Sequence, residues 1–169
     1  MPGETTRPIL DRVKAALLDI LRPDIEGVAF LDLFAGSGGV GIEALSQGAK
    51  SCVFVDCELK AILTIRENLK ATELTDQSEV RKTDAFLYLR KSDRVFDLIF
   101  IAPPQYKGLW LEALKTVAER PHLLNDDGGV IVQIDPKEYE EVELESLKER
   151  RQKRYGNTLL VFYGRGEVG

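Results

Sequence analysis

The chain has 169 residues, 23 basic against 28 acidic for a net charge of −5, and is 44% hydrophobic and 30% charged. That suffices for one domain with a core, and it argues against a protein coated with charge for nonspecific nucleic-acid binding. No apolar run reaches the roughly 18 residues of a membrane span, and no apolar signal-peptide core stands at the N-terminus, so a cytoplasmic location is expected.

Helix and strand patterns alternate along the chain, which implies a parallel sheet covered by helices on both faces. A first helix is expected from near Pro8, with Val13, Ala16, Leu17, Ile20 and Leu21 at helical spacing and Pro23 as its end. Val28 to Leu33 reads as the first strand, and Gly39 to Gln47 as a helix that Gly48 would cap. Ser51 to Val55 is the second strand, and Leu59, Ile62, Leu63 and Leu69 mark the inner face of the next helix. A short third strand is expected near Glu79 to Lys82, followed by a helix from Ala85 to Arg90 capped by Asp84.

Phe96 to Ile101 is the fourth strand, ended by two prolines that cannot donate to a ladder. Trp110, Leu111, Leu114, Val117 and Ala118 make an amphipathic helix. The turn Asp127-Gly128-Gly129 would introduce a fifth strand, Val130 to Ile134. Leu147 to Tyr155 and Asn157 to Tyr163, joined at Gly156, read as an antiparallel hairpin that closes the chain. The two cysteines, Cys52 and Cys57, and the lone His122 make neither a disulfide framework nor a metal-ligand pattern, so no metal is expected.

Two stretches carry chemistry. "LDLFAGSGGVG", Leu31 to Gly41, leaves a strand and enters a helix, with Gly36, Gly38 and Gly41 at G-x-G-x-x-G spacing. Such glycines allow a tight turn and close approach of a cofactor to the backbone. Asp56 follows 20 positions after Gly36, where a carboxylate can accept both hydroxyls of a ribose. NAD and S-adenosylmethionine sites share these features. Three others favour S-adenosylmethionine. Asp32 could meet a charged amino-acid moiety. In "TDAF", Asp84 could accept an adenine amino proton, the Ala85 backbone could meet a ring nitrogen and Phe86 could cover a face. "APPQY", Ala102 to Tyr106, stands at a strand's carboxyl end, where open α/β sheets bind ligands.

Together these residues resemble a class I methyltransferase. "TRPILDRVKAALLDIL", "FLDLFAGSGGVGIEALSQGA", "FVD", "NLK", "TDAF", "FDLIFIAPPQYKG" and "KRYGNTLLVFYGR" are similar to the bacterial RsmD-type family from Thr6 almost to the end. That family methylates guanine N2 of small-subunit (16S) ribosomal RNA. The resemblance implies a Rossmann-like sheet of order 3-2-1-4-5-7-6 with strand seven antiparallel. It implies S-adenosylmethionine as cofactor, ribosomal RNA as partner, and a cofactor site formed by Asp32, Phe34, Ala35, Gly36, Gly38, Asp56, Asp84, Ala85 and Phe86. The family carries a basic β-hairpin before helix one, and the segment ahead of Thr6 has no counterpart of it, so a single domain over 1–169 without that hairpin is expected.

The family's corner is D/N-P-P-Y/F, in which the acid or amide and a proline carbonyl accept the amine's hydrogens and the aromatic stacks on the base. Here Ala102 stands at the acid or amide position and Gln105 at the aromatic one, with Pro103 and Pro104 between and Tyr106 shifted by one. Loss of a positioned acceptor typically costs roughly 10²–10⁴ in rate. Three readings stay open: a guanine-N2 methyltransferase with an altered corner, a homologue with altered substrate or weak catalysis, and, more remotely, an NAD-dependent oxidoreductase. For contacts with RNA the basic candidates are Arg7, Arg12 and Lys14, and the run Lys148 to Arg154.

Overall fold

The computed structural model describes the backbone of residues 2–105 and 107–166, with side chains from residue 10 onward. Seven strands form one sheet: β1 (Ala29–Leu33), β2 (Ser51–Asp56), β3 (Ser78–Lys82), β4 (Phe96–Ile101), β5 (Leu124–Ile134), β6 (Leu147–Tyr155) and β7 (Thr158–Arg165). Their order is β3-β2-β1-β4-β5-β7-β6, with β7 antiparallel to both neighbours, as the resemblance implies. The hairpin read from the sequence is the β6–β7 pair, turning at Gly156 with φ +58°.

Among the described residues five α-helices cover the sheet: α1 (Pro2–Ile25), α2 (Gly39–Ser46), α3 (Leu59–Ala71), α4 (Ala85–Lys91) and α5 (Leu109–Glu119). Alternate residues of each strand point to opposite faces, and two apolar layers result. Leu31, Leu33, Val53, Ile99 and Val132 meet α4 and α5 through Leu89, Trp110 and Leu114. Phe30, Phe54, Phe100 and Ile131 meet α1, α2 and α3 through Leu17, Leu45 and Ile65. Burial on both faces explains why β1 is buried along its whole length.

The chain departs from the sequence reading in three places. Helix α1 begins at Pro2 rather than near Pro8, and it passes Pro23 to end at Ile25. A proline this close to the end removes few helical bonds, and Ile25 is drawn into the core. The stop is supplied by Gly27, at φ +79°, whose N–H donates to the Gly48 carbonyl at 2.8 Å. Strand β5 begins at Leu124, six residues before the expected start, and its register against β4 shifts between the Phe96–Leu124 and Leu98–Gly129 pairs. The glycines read as a turn therefore form an irregularity within the strand. Leu59 and Leu63 are 57% and 55% exposed rather than inward, because Ile62, Ile65 and Leu69 fill the inner stripe of α3.

Candidate functional site

The candidate site lies at the carboxyl ends of β1, β2, β3 and β4, which the parallel sheet sets side by side. Leaving β1, the chain turns sharply. Phe34 has φ +61°, a left-handed conformation that side chains with a Cβ rarely adopt, and Gly36 and Gly38 follow at φ +60° and +80°. The Ala35 N–H donates to the Val55 carbonyl at 2.9 Å, fastening the turn to β2. Asn68 of α3 donates to the Ser37 carbonyl at 3.0 Å and holds the turn's outer edge.

Each glycine has a separate physical reason. A Cβ on Gly36 would meet nothing within 4 Å, so the backbone is open to an approaching ligand there. A Cβ on Gly41 would stand 2.5 Å from the Phe54 ring and 2.8 Å from the Cys52 sulfur, so this glycine lets α2 lie directly on β2. Helix α2 starts behind Gly38 without a side-chain cap and without an acid in its first turn. Asp32 takes one first-turn N–H, that of Gly41, and a helix start of this kind still favours an anionic group.

Asp32 is 2% exposed and points into the α1–α2–α3 layer, where Oδ2 accepts the Gly41 N–H at 3.1 Å. Burial, only partly offset by that bond and reinforced by the nearby Asp56 charge, pushes its carboxyl up to about 8. In this arrangement Asp32 anchors the start of α2, and its carboxyl is enclosed rather than turned toward an open cleft.

Asp56 ends β2 with Oδ2 accepting from Gly36 N and Oδ1 from Glu58 N, both at 2.9 Å. Each carboxylate oxygen retains acceptor capacity. Asp84 follows β3, and its Oδ1 caps α4 by accepting from Leu87 N at 3.0 Å. Ala85 is buried, and the Phe86 ring meets that of Phe34 edge-on, with centroids 6.0 Å apart and planes at 70°. The turn after β1 and the start of α4 thus share an aromatic corner.

Behind β4, Ala102 is half-buried and packs on the α1–α2–α3 layer. Pro103 is half-buried, Pro104 and Gln105 are exposed, and Tyr106 lies outside the described residues. Lys14 was grouped by sequence with the RNA-facing cations. It reaches the glycine turn: its Nζ lies 3.5 Å from where a Gly39 Cβ would stand. No sequence signal pairs these two residues. His122 sits before β5 begins, at the opposite end of the sheet, so it is not placed to serve as a proton donor here. Among the described residues no three His, Cys, Asp or Glu side chains gather as a metal site would require, and no helix is long and apolar enough to cross a membrane.

A sheet of this order, with a glycine turn after β1 and acids ending β2 and following β3, is that of a Rossmann-like class I methyltransferase. Residues 1–164 match the family described as "Conserved hypothetical protein 95", and the chain belongs to that family, the RsmD family. It is 41% identical over 168 residues to the Bacillus subtilis protein named "Putative rRNA methyltransferase YlbH", covering 95% of this chain and 89% of that one. It is 32% identical over 122 residues to the Escherichia coli "Ribosomal RNA small subunit methyltransferase D", covering 72% of this chain but 58% of the relative. The solved Escherichia coli structure described as "Putative methyltransferase yhhF" superposes with a TM-score of 0.82 at 27% identity, covering 92% of this chain and 84% of that one.

Proposed function

We propose that the chain transfers a methyl group from S-adenosylmethionine to the N2 amine of a guanine in small-subunit ribosomal RNA. One observation carries this reading. A glycine turn, a ribose-type acid and an adenine-type acid stand at the ends of adjacent strands, with a proline corner at the end of the next one. The names of the relatives support RNA as the substrate.

S-adenosylmethionine supplies an electrophilic sulfonium methyl when bound. The residues fit such a group: the backbone is open beside Gly36, and the start of α2 suits a carboxylate. Asp56 would hold the ribose hydroxyls through its remaining lone pairs. Asp84 and the Ala85 backbone would hold the adenine, and Phe86 with Phe34 would offer it apolar surface. Ala35, Gly36 and Gly38 give the close backbone approach, and Asp32 keeps that backbone in place through Gly41.

At the corner the chain must orient the exocyclic amine and accept its hydrogens. Ala102 has no side-chain acceptor, so this falls to the Pro103 carbonyl and the Gln105 amide oxygen, beside Pro104. Orientation contributes much of the rate of such a displacement, and a base within structured RNA must leave its stack to reach the corner. The test is transfer of a tritiated methyl from S-adenosylmethionine to small ribosomal subunits lacking the modification, with nucleoside analysis of the product. Label in N2-methylguanosine is expected, and absence of label from guanine overturns the reading. Ala102 favours a second reading, cofactor binding with slow catalysis, in which calorimetric binding persists without turnover.

A further inference from the structure

We infer that β6 forms a phosphate-binding rail for the RNA whose base enters the proline corner. The inference rests on the RNA-methyltransferase reading above and adds a surface to it.

The strand Leu147–Tyr155 carries Lys148, Arg150, Arg151, Lys153 and Arg154 in a chain whose net charge is −5. The fold sorts these charges. Arg151 stands opposite Phe162 and Lys153 opposite Leu160, both of which belong to the α1–α2–α3 layer. Lys148 stands opposite Gly164, two further along β7 on the same face, and the bulge between Glu149 and Arg151 brings Arg150 there too, its Nε 3.1 Å from where a Gly164 Cβ would stand. The strand's one acid, Glu149, pairs with Tyr163 on the other face and accepts from the Tyr139 hydroxyl. Four cations therefore share one face without an acid from their own strand.

These cations are exposed, and none of the four lies within ion-pair distance of a carboxylate among the described residues. Arg151 lies over the Phe162 ring, its guanidinium carbon 5.5 Å from the centroid, and Arg150 donates to the Arg165 carbonyl. Both contacts leave the charge unneutralised. β6 is also the last strand of the sheet, with no further strand paired to its outer edge among the described residues.

The register ties this face to the corner. Lys153 pairs with Leu160, Leu160 with Gln133, and Gln133 lies one residue beyond the Ile101–Val132 pair, level with Ala102. Ala102 packs on the same layer as Leu160, so Lys153 and Ala102 end one row on one face of the sheet. Three strand spacings separate them, about 14 Å, which is roughly four nucleotides of stacked strand at about 3.4 Å each. Ile131, Leu160 and Phe162 are buried on this face, so an RNA strand that delivers a base to the corner would run past the carboxyl-end rim, beside half-buried Gln133, and lay its neighbouring phosphates on Lys153 and Arg151. Lys148 lies beside Glu141, Glu143 and Glu145, and Arg150 beside Asp126 and Asp127, so the rail proper is Arg151 and Lys153. Phosphate is the partner these two suit, because exposed cations bind polyanions by releasing counterions.

The experiment measures binding of a protein-free small-subunit ribosomal RNA transcript across salt concentrations for the wild type, the Arg151→Gln/Lys153→Gln double variant and a Lys115→Gln control. Lys115 is exposed on α5, on the other face. The double variant is expected to bind at least tenfold more weakly at low salt. Its log–log salt dependence should be shallower by about 1.4, for two phosphates released at roughly 0.7 each. Affinity for S-adenosylmethionine, unchanged within twofold, shows that the fold is kept. A salt slope equal to the wild type's overturns the rail. Methyl transfer by that same wild type leaves the proposed activity standing, whereas a lower slope with no methylated guanine in any RNA supports the rail and overturns the activity.

Discussion

The Asp56 carboxylate accepts the Gly36 N–H at 2.9 Å and so joins the end of β2 to the glycine turn after β1. With its second oxygen on Glu58 N, one side chain organises two loops of the candidate cofactor site. Charge-assisted bonds of this kind are worth about 1.5–3 kcal/mol each. Asp56→Ala is therefore expected to weaken S-adenosylmethionine binding by about 10- to 100-fold in calorimetry. Asp56→Asn, which keeps one acceptor, should fall between that variant and the wild type. Equal affinity in all three would remove Asp56 from the site.

Gly36 and Gly41 should respond to alanine in opposite ways. Gly41→Ala drives a methyl into Phe54 and Cys52, both buried, and overpacking of this kind costs about 1–3 kcal/mol. A lower urea midpoint is the expected result. Gly36→Ala meets no atom within 4 Å, and its left-handed backbone costs roughly 1–2 kcal/mol. Its larger effect should be on cofactor affinity, since the added methyl projects into open space at the turn.

Asp32 predicts a pH dependence of stability. Its folded carboxyl titrates near 8 against an ordinary value of 3.8, so the folded chain holds a proton that the unfolded chain has released between those values. Stability is then greatest near the lower end of this window and declines as pH rises toward 8, by at most about 1.4 kcal/mol per unit. Denaturation of Asp32→Asn, whose amide oxygen can still accept from Gly41, should show this slope reduced. An unchanged slope in the variant would assign the dependence to another group.

Ala102→Asp restores an acceptor at the corner. An increase in methyl transfer of about tenfold or more, with unchanged cofactor affinity, is expected if the missing group limits the rate. No increase in single-turnover assays would mean that Pro103 and Gln105 already meet the amine's needs.

Much of the sheet was legible because parallel strands buried on both faces leave continuous apolar runs, and because a hairpin leaves two strands close in sequence. The glycine turn was legible because each of its requirements restricts residue type. What escaped depends on contacts between distant segments. The start of β5 was hidden because glycines read locally as a turn here sit inside a strand. The left-handed Phe34 was unreadable, since nothing in its residue type suggests a positive φ. Lys14 reaches Gly39 only after α1 docks on α2, and the row from Ala102 to Lys153 exists only once four strands are in register. Asp32 was read as facing a ligand because its position beside the turn was visible, while its enclosure was not.

The place of β6 at the sheet's end has a consequence for the protein's own solubility. A nine-residue terminal strand offers backbone donors and acceptors to any passing strand, above all to the identical strand of another copy. Two such strands paired antiparallel about Arg151 would set Arg151 against Arg151 and Lys148 against Arg154, with only Glu149 offering an opposite charge, to Lys153. Like charge makes the zipped pair unfavourable, so the edge is protected from its own twin. Neutralising these residues should therefore leave a chain that is prone to associate through β6, with light scattering that rises with concentration.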